Sequence, residues 1–96
     1  MVEHFFTWDE NKNLENQHKH GISFEEAATI FTDENARMIH DPDHSADEDR
    51  FILLGFSSKA RLIVVAHTYR KHETEIRIIS ARKAEKYERE EYGSFL

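Results

Sequence analysis

The sequence predicts an α+β domain in which a small antiparallel β-sheet carries two N-terminal helices and a C-terminal helix. Apolar residues recur at helical spacing between Phe24 and Phe31, and three apolar runs follow one another after Arg50. Only a few residues connect these runs, which favours antiparallel hairpins because parallel strands need long crossovers. At 96 residues with 39% apolar content, the chain fits one domain over residues 1–96.

An aromatic run and its flanking residues indicate the first strand and the first helix. The run from His4 to Trp8 suits a strand, and Asp9 can cap a helix over residues 10–20. Gly21 then ends this helix. We expect Trp8 to be structural, because its burial is among the largest single stabilising contributions in a small domain.

A capping box begins the second helix. Ser23 can cap this helix while the side chain of Glu26 reaches back, and the helix extends to Thr32. A short strand over residues 36–41 and an acidic loop follow. The last elements are three strands and a polar helix, over residues 50–56, 61–69, 74–80 and 81–92. The predicted order is therefore β-α-α-β-β-β-β-α.

Composition limits the classes of function. The chain has no cysteine, which excludes disulfides and thiolate metal sites and is compatible with a reducing compartment. No apolar segment approaches the roughly 20 residues that span a bilayer, and the start lacks a basic segment followed by an apolar run. We therefore expect a cytoplasmic protein that does not bind membranes.

The charge is unevenly distributed along the chain. The net charge of -6 argues against non-specific binding to nucleic acid. However, residues 1–48 contain 12 Asp/Glu and 3 Lys/Arg, whereas residues 49–96 contain 7 Asp/Glu and 10 Lys/Arg. This asymmetry is compatible with a basic surface on an acidic protein, and equally with a solvated surface.

The last hairpin is expected to place an imidazole and a guanidinium on one face of the sheet. If residues 71–73 form the turn, His67 faces Arg77, and one sheet face presents His67, Tyr69 and Arg77 to water. The opposite face is then uniformly apolar and carries the helices. Alternatively, Arg77 is a solvated charge that pairs with an acid near Glu75.

Such a face has the groups that RNA cleavage without a metal requires. The reaction needs a base for the 2′-OH proton, an acid for the leaving 5′-oxygen and cations for the charge on the transition state. His67 can transfer either proton, Arg77 and Arg82 can bind phosphate, and Tyr69 or Tyr87 can stack on a base.

The chain resembles the BrnT family, the toxin half of a type II toxin–antitoxin pair whose members look like the RelE superfamily of small ribonucleases. The shorter pieces typical of this family are Trp8-Asp9, Lys12, Asn16, Lys19-His20-Gly21, His67 and Ser80-Ala81-Arg82. The matching stretches cover most of the chain: "FTWDENKNLENQHKHGISFEEAATIF", "RFILLGFS", "LIVVAHTYR" and "IRIISARKAEKYERE".

The resemblance implies an endoribonuclease that acts on mRNA, either free or on the ribosome, and that a BrnA-like, DNA-binding antitoxin neutralises. It implies an active site containing His67, Arg77 and Arg82. The positions expected to contact RNA are Lys12, Arg50, Tyr69 and Lys83. Many such toxins are strongly basic, and this chain is not. No cofactor and no metal are expected.

Two other functions are compatible with the sequence. The exposed sheet could belong to a binding module that captures a partner without catalysis. The segment from His40 to His44 could instead supply ligands for a metal-dependent enzyme, because two histidines and two aspartates lie close together there.

Overall fold

The computed structural model describes residues 3–39 and 50–93, and it confirms the α+β class. The helices are α1 (Glu10–His20), α2 (Phe24–Thr29), which continues as a 3-10 turn (Ile30–Thr32), and α3 (Lys86–Gly93). The strands are β1 (Phe5–Thr7), β2 (Arg37–Ile39), β3 (Phe51–Phe56), β4 (Leu62–Arg70) and β5 (Glu75–Lys83). No helix in the described ranges is long and apolar enough to cross a membrane.

The five strands form one sheet in the order β1-β5-β4-β3-β2. The contacts between β2 and β3, β3 and β4, and β4 and β5 are antiparallel, as the short connections predict. β1 instead pairs with β5 in parallel, so the sheet is mixed. The chain leaves β1 through a helix rather than a hairpin, and no turn therefore imposes an antiparallel direction on this edge strand.

Both caps predicted for α1 are present. The Oδ1 atom of Asp9 accepts hydrogen bonds from the N–H groups of Asn11 (2.8 Å) and Lys12 (3.3 Å). At the other end, Gly21 adopts a left-handed conformation with φ of 70°. Its N–H donates to the carbonyl of Gln17 at 2.8 Å, which ends the helix.

One buried asparagine joins α1 to β5. The Nδ2 group of Asn16 donates to the carbonyls of Ala81 and Ile22, both at 2.8 Å, and its Oδ1 accepts from the Ala81 N–H at 3.1 Å. Asn16 therefore makes the hydrogen bonds that a neighbouring strand would make beyond the short β1. These bonds fix α1 along the outer edge of β5.

The prediction for the second helix is confirmed at Ser23 and wrong for the side chain of Glu26. The Ser23 hydroxyl accepts from the Glu26 N–H at 3.0 Å. The Glu26 carboxylate does not reach back but accepts from Arg61 Nε (2.9 Å) and Ser57 Oγ (2.7 Å). The hydrogen bonds from Arg61 outweigh the effect of burial and lower the pKa of Glu26. A charged guanidinium is a stronger hydrogen-bond partner for a carboxylate than the backbone N–H at the start of the helix.

Helices cover both faces of the sheet, which corrects the prediction of one apolar face. α1 and α2 pack on the face that carries Ile63 and Val65. Trp8 is half-buried at this core and meets Phe24 edge-on, with ring centroids 6.2 Å apart. α3 packs on the opposite face, where its Tyr92 belongs to a second cluster made of Leu54, Leu62, Val64, Ala84 and Tyr92.

The strand β5 extends further than predicted, and the last helix begins later. Residues 81–83 were expected to be helical, but Arg82 is opposite Val64 in the sheet and the Ala84 N–H donates to Leu62 at 3.0 Å. α3 starts only at Lys86. The bonds from Asn16 to Ala81 and the pairing with β4 stabilise the extended form there.

An ion pair connects the end of β5 to α3. The two terminal nitrogens of Arg82 donate to the two carboxylate oxygens of Glu88, each at 2.7 Å. Glu88 also accepts from the Glu85 N–H at 2.8 Å and is 2% exposed. Burial opposes the charge of this carboxylate, but the hydrogen bonds from Arg82 and Glu85 outweigh burial and lower the pKa of Glu88.

The prediction that His67 faces Arg77 was wrong. β4 and β5 are joined by a four-residue turn, so Arg70 is opposite Glu75, Thr68 opposite Arg77, and His67 opposite Ile78. Directly opposed residues share a face and neighbours along a strand alternate, so His67 and Arg77 lie on opposite faces. Three consecutive left-handed turn residues fix this register: Lys71, His72 and Glu73, with φ of 50°, 56° and 70°.

His67 is a core residue under the helices. Its side chain is fully buried, and its ring meets Phe31 edge-on with centroids 4.9 Å apart. Nδ1 lies 3.2 Å from the Val65 carbonyl, which can only accept, so Nδ1 carries the proton. Nε2 then accepts from the Tyr69 hydroxyl at 3.3 Å. Burial lowers the pKa of His67 from its ordinary 6.5.

We expect the domain to lose stability as the pH falls below about 6.5, because the unfolded chain then binds a proton that folded His67 resists. The slope for this group reaches at most about 1.4 kcal/mol per pH unit. Urea unfolding at several pH values between about 7.5 and 5.5 measures it. His67→Phe keeps an aromatic ring without titration, and its slope should be smaller. Equal slopes in both proteins would contradict the assignment.

Replacing Glu88 by Gln should destabilise the fold by about 1–2 kcal/mol, because it leaves the Arg82 guanidinium without its charged partner. This loss is smaller than the roughly 3–5 kcal/mol expected for a fully buried ion pair, because the Arg82 side chain is 37% exposed and water screens its charge. Urea unfolding gives the difference. Glu90→Gln, an exposed change on the same helix, is the matched control and should change stability by less than about 0.5 kcal/mol.

Candidate nucleic-acid interface

A basic pocket of about 220 Å³ opens at the first turn of α1, where β4 and β5 present the face opposite His67. Four cationic side chains and one carboxylate line it, with a threonine and two isoleucines. The lining residues are Asp9, Lys12, Arg50, Thr68, Arg70, Arg77, Ile78 and Ile79. A concave surface of this composition fits a phosphate group, because guanidinium groups bind phosphate oxygens through two parallel hydrogen bonds.

Three elements position the basic side chains. Thr68 and Arg77 are directly opposed on β4 and β5, and Arg70 follows two residues later on the same face as Thr68. Arg50 comes immediately before β3, whose first residue is opposite His67, so Arg50 continues the row beside Thr68. Lys12 comes from the first turn of α1, which Asp9 caps.

The arginines of the hairpin are available to an anion. Among residues 3–39 and 50–93, no carboxylate forms an ion pair with Arg70 or Arg77. Glu75, the acid near Arg77, instead accepts a 2.5 Å hydrogen bond from the Thr7 hydroxyl and lies 4.0 Å from Lys71 Nζ. The alternative that Arg77 pairs with an acid near Glu75 is therefore not what the structure has.

The structure brings together three of the residues singled out from the sequence and separates the others. Lys12, Arg50 and Arg77 line the pocket. His67 and Tyr69 lie on the other face, where Tyr69 borders a cleft with Phe6 and Phe31.

The remaining two basic residues are at the far end of β5. Arg82 is bound to Glu88, and Lys83 is exposed opposite Ile63. Neither of them lines the basic pocket. The expectation of one site shared by His67, Arg77 and Arg82 is therefore wrong in its geometry.

Sequence reasoning missed Arg70, Thr68 and Asp9 as members of the pocket. The sequence analysis assigned no role to Thr68 or Arg70, and it assigned Asp9 only the role of a helix cap. The spacing Thr68-x-Arg70 places two polar side chains on one face of a strand, which is a usable signal only once the turn length is known. Asp9 does cap α1, and the same position brings it to the rim of the pocket.

Residues 40–44, singled out as possible metal ligands, lie outside the described residues. Within the described ranges, no three His, Asp or Glu side chains are grouped so that they could hold a metal ion.

Comparisons with known proteins relate this chain to one family. The chain is similar in structure to the 1.1 Å crystal structure of the Brucella abortus ribonuclease toxin BrnT, with a TM-score of 0.64 and 22% identity. The alignment covers 90% of this chain and 100% of that one, and at this identity it shows the fold alone. A search of curated proteins finds no match.

A sequence profile described as "Ribonuclease toxin, BrnT, of type II toxin-antitoxin system" matches residues 8–88. The matched region begins with the Trp8-Asp9 pair, and it contains Lys12, Arg50, Arg70 and Arg77 of the basic pocket. The chain therefore belongs to the BrnT family of ribonuclease toxins from type II toxin–antitoxin systems.

Proposed function

We propose that this toxin is an endoribonuclease that binds the scissile phosphate of mRNA in the basic pocket of Arg70, Arg77 and Lys12. The observation that carries the proposal is the pair of hairpin arginines that, in the described part of the chain, have no acidic partner. Guanidinium groups without an acidic partner in a concave site do not stabilise the fold. Their positive charge matches the negative charge that develops on a phosphate during cleavage.

The reaction is an attack of the ribose 2′-oxygen on the adjacent phosphorus, which breaks the bond to the 5′-oxygen of the next nucleotide. The 2′-OH loses one proton and the leaving 5′-oxygen gains one, and a cyclic phosphate remains on the first fragment. Arg70 and Arg77 neutralise the added negative charge at phosphorus. Asp9 and Lys12 are the pocket groups that can exchange a proton with the substrate, since arginine stays protonated.

This proposal omits His67, because a fully buried imidazole on the other face cannot reach an RNA bound in the pocket. It also omits Arg82, whose terminal nitrogens are already bound to Glu88. Cleavage of mRNA in the cytoplasm, on the ribosome or free, would stop translation and growth.

The partner that restrains the toxin is proposed to be a BrnA-like, DNA-binding antitoxin. Type II systems pair a protein antitoxin with the toxin, and the family membership implies such a partner. With a net charge of -6, the toxin favours an antitoxin that presents basic residues to its acidic surfaces. A binding module without catalysis is the rival, because a basic pocket can also hold RNA without cleaving it.

Replacing Arg77 or Arg70 by Ala should lower the cleavage rate of an RNA oligonucleotide by about 100-fold or more, as removal of a charge-stabilising donor does in other active sites. The measurement is single-turnover cleavage with saturating protein. Arg89→Ala removes an exposed arginine from α3, outside the pocket, and should cleave at the wild-type rate.

The corresponding growth assay separates the toxin from the binding module. Expression of the wild-type chain without antitoxin should arrest growth, and Arg77→Ala should relieve the arrest while the variant still binds the antitoxin. If the Arg77→Ala variant and the Arg70→Ala variant both cleave RNA at the wild-type rate, the assigned site is refuted. A wild-type chain that binds RNA without cleaving it would favour the binding module.

Cleavage is expected to continue in the presence of EDTA, because lysine and arginine side chains provide the positive charge at phosphorus. The test compares single-turnover rates with EDTA and with added Mg²⁺ at equal ionic strength. A rate that falls by about tenfold or more in EDTA and returns with Mg²⁺ would contradict this expectation.

A further inference from the structure

A second groove continues the basic pocket along the outer edge of β5. It has a volume of about 240 Å³ and lies between α1 and the second half of β5. Its lining residues are Lys12, Glu15, Asn16, Lys19, His20, Ile79 and Ser80. Lys12 and Ile79 belong to both cavities, so the groove adjoins the basic pocket, and the two together are called the channel.

The spacing of the lysines on α1 suits an extended polyanion. Lys12 and Lys19 are seven residues apart, which places them on the same side of the helix about 10.5 Å apart along its axis. Asn16 lies between them and is 6% exposed, because its amide is bonded to β5. The two ammonium groups therefore border a groove whose middle is held rigidly against the strand.

The opposite wall of the groove is formed by an irregularity in β5. Ala66 is opposite Ser80 and His67 opposite Ile78, so Ile79 is an extra residue without a partner on β4. This bulge brings the half-buried side chain of Ile79 to the junction of the two cavities and leaves Ser80 exposed beside it. The wall thus offers an apolar contact for a base or ribose and a hydroxyl for a phosphate oxygen.

The charge of the groove favours an anion. Within the described residues, Lys19 and His20 have no ion pair, and Glu15 is the one carboxylate among the lining residues. Together with the basic pocket, the channel carries Lys12, Lys19, Arg50, Arg70 and Arg77 against Asp9 and Glu15. This local excess of positive charge contrasts with the net charge of the whole chain.

We propose that the groove between α1 and β5 binds the phosphodiester backbone of the RNA strand next to the cleaved bond, with Lys19 contacting a flanking phosphate. This inference rests on the proposed function, because the groove acquires its meaning from a scissile phosphate bound by Arg70 and Arg77. The groove then increases the affinity for longer RNA strands and takes no part in the cleavage step. Lys19 is a binding residue and not a catalytic one.

The experiment compares two uncleavable probes that carry a 2′-O-methyl group: a dinucleotide, which fills only the basic pocket, and an oligomer of about ten nucleotides, within the lengths that such channels bind. Lys19→Gln should weaken binding of the oligomer about tenfold at low salt, as expected for loss of a charged hydrogen bond. It should also reduce the slope of log affinity against log salt by about 0.7. Dinucleotide binding should not change.

Two further variants guard against a loss of folding. Glu15→Gln removes the carboxylate of the groove and should bind the oligomer more tightly than wild type. Lys59→Glu changes an exposed lysine in the turn between β3 and β4, outside the channel, and should leave oligomer binding unchanged.

The outcomes separate the two proposals. If Arg77→Ala abolishes binding of both probes while Lys19→Gln and Glu15→Gln bind the oligomer like wild type, the groove assignment is wrong and the basic pocket stands. If wild type binds neither probe, the proposed function fails as well. Equal weakening of dinucleotide and oligomer by Lys19→Gln would also overturn the role assigned to the groove.

Discussion

The pairing register of β4 and β5 determines what this domain can do. The four-residue turn between the strands places Thr68 opposite Arg77 and His67 opposite Ile78. A shift of one residue would exchange the faces of β5 relative to β4. Arg77 would then enter the apolar core that contains Ile63 and Val65, and the side chain of Ile78 would leave that core. The cost of burying an unpaired charge therefore opposes the alternative register, and the arginine pocket is a consequence of the same turn that buries His67.

The second constraint is the attachment of α1 to the edge of β5. Asn16 supplies both a donor and an acceptor to Ala81, so the helix continues the edge that β1 leaves after three residues. This position brings Lys12 to the pocket formed by the hairpin, and it creates the groove that leads away from it. Strand edges are usually protected by charge or by short length. Here the protecting element also brings Lys12 to the basic pocket and Lys19 to the groove.

The sequence predicts the elements well and the site only in part. The caps at Asp9, Gly21 and Ser23 follow from local chemistry, because each satisfies backbone groups of its own helix. The faces of the last hairpin depend on whether the turn has three or four residues. His67 illustrates the difficulty: an imidazole in a strand is compatible with catalysis or with a core, and only the aromatic rings around it decide between them. The pairing of Arg82 was hard to predict for a similar reason, because its partner Glu88 is in a helix whose start the sequence does not locate.

The distribution of ion pairs reconciles an acidic protein with a polyanionic substrate. Glu26 and Glu88 are buried and bind Arg61 and Arg82, so those two arginines belong to the framework of the fold. Arg70 and Arg77 have no such acid among the described residues, although they come from the same basic half of the chain. Net charge sums both kinds of arginine and the exposed acids, whereas a bound phosphate responds mainly to charges within about 10 Å, the screening length at moderate salt. The pocket can therefore attract RNA locally although the chain as a whole carries a net negative charge. RNA then binds only where the strand enters the channel, because the net negative charge of the chain disfavours non-specific binding to nucleic acid.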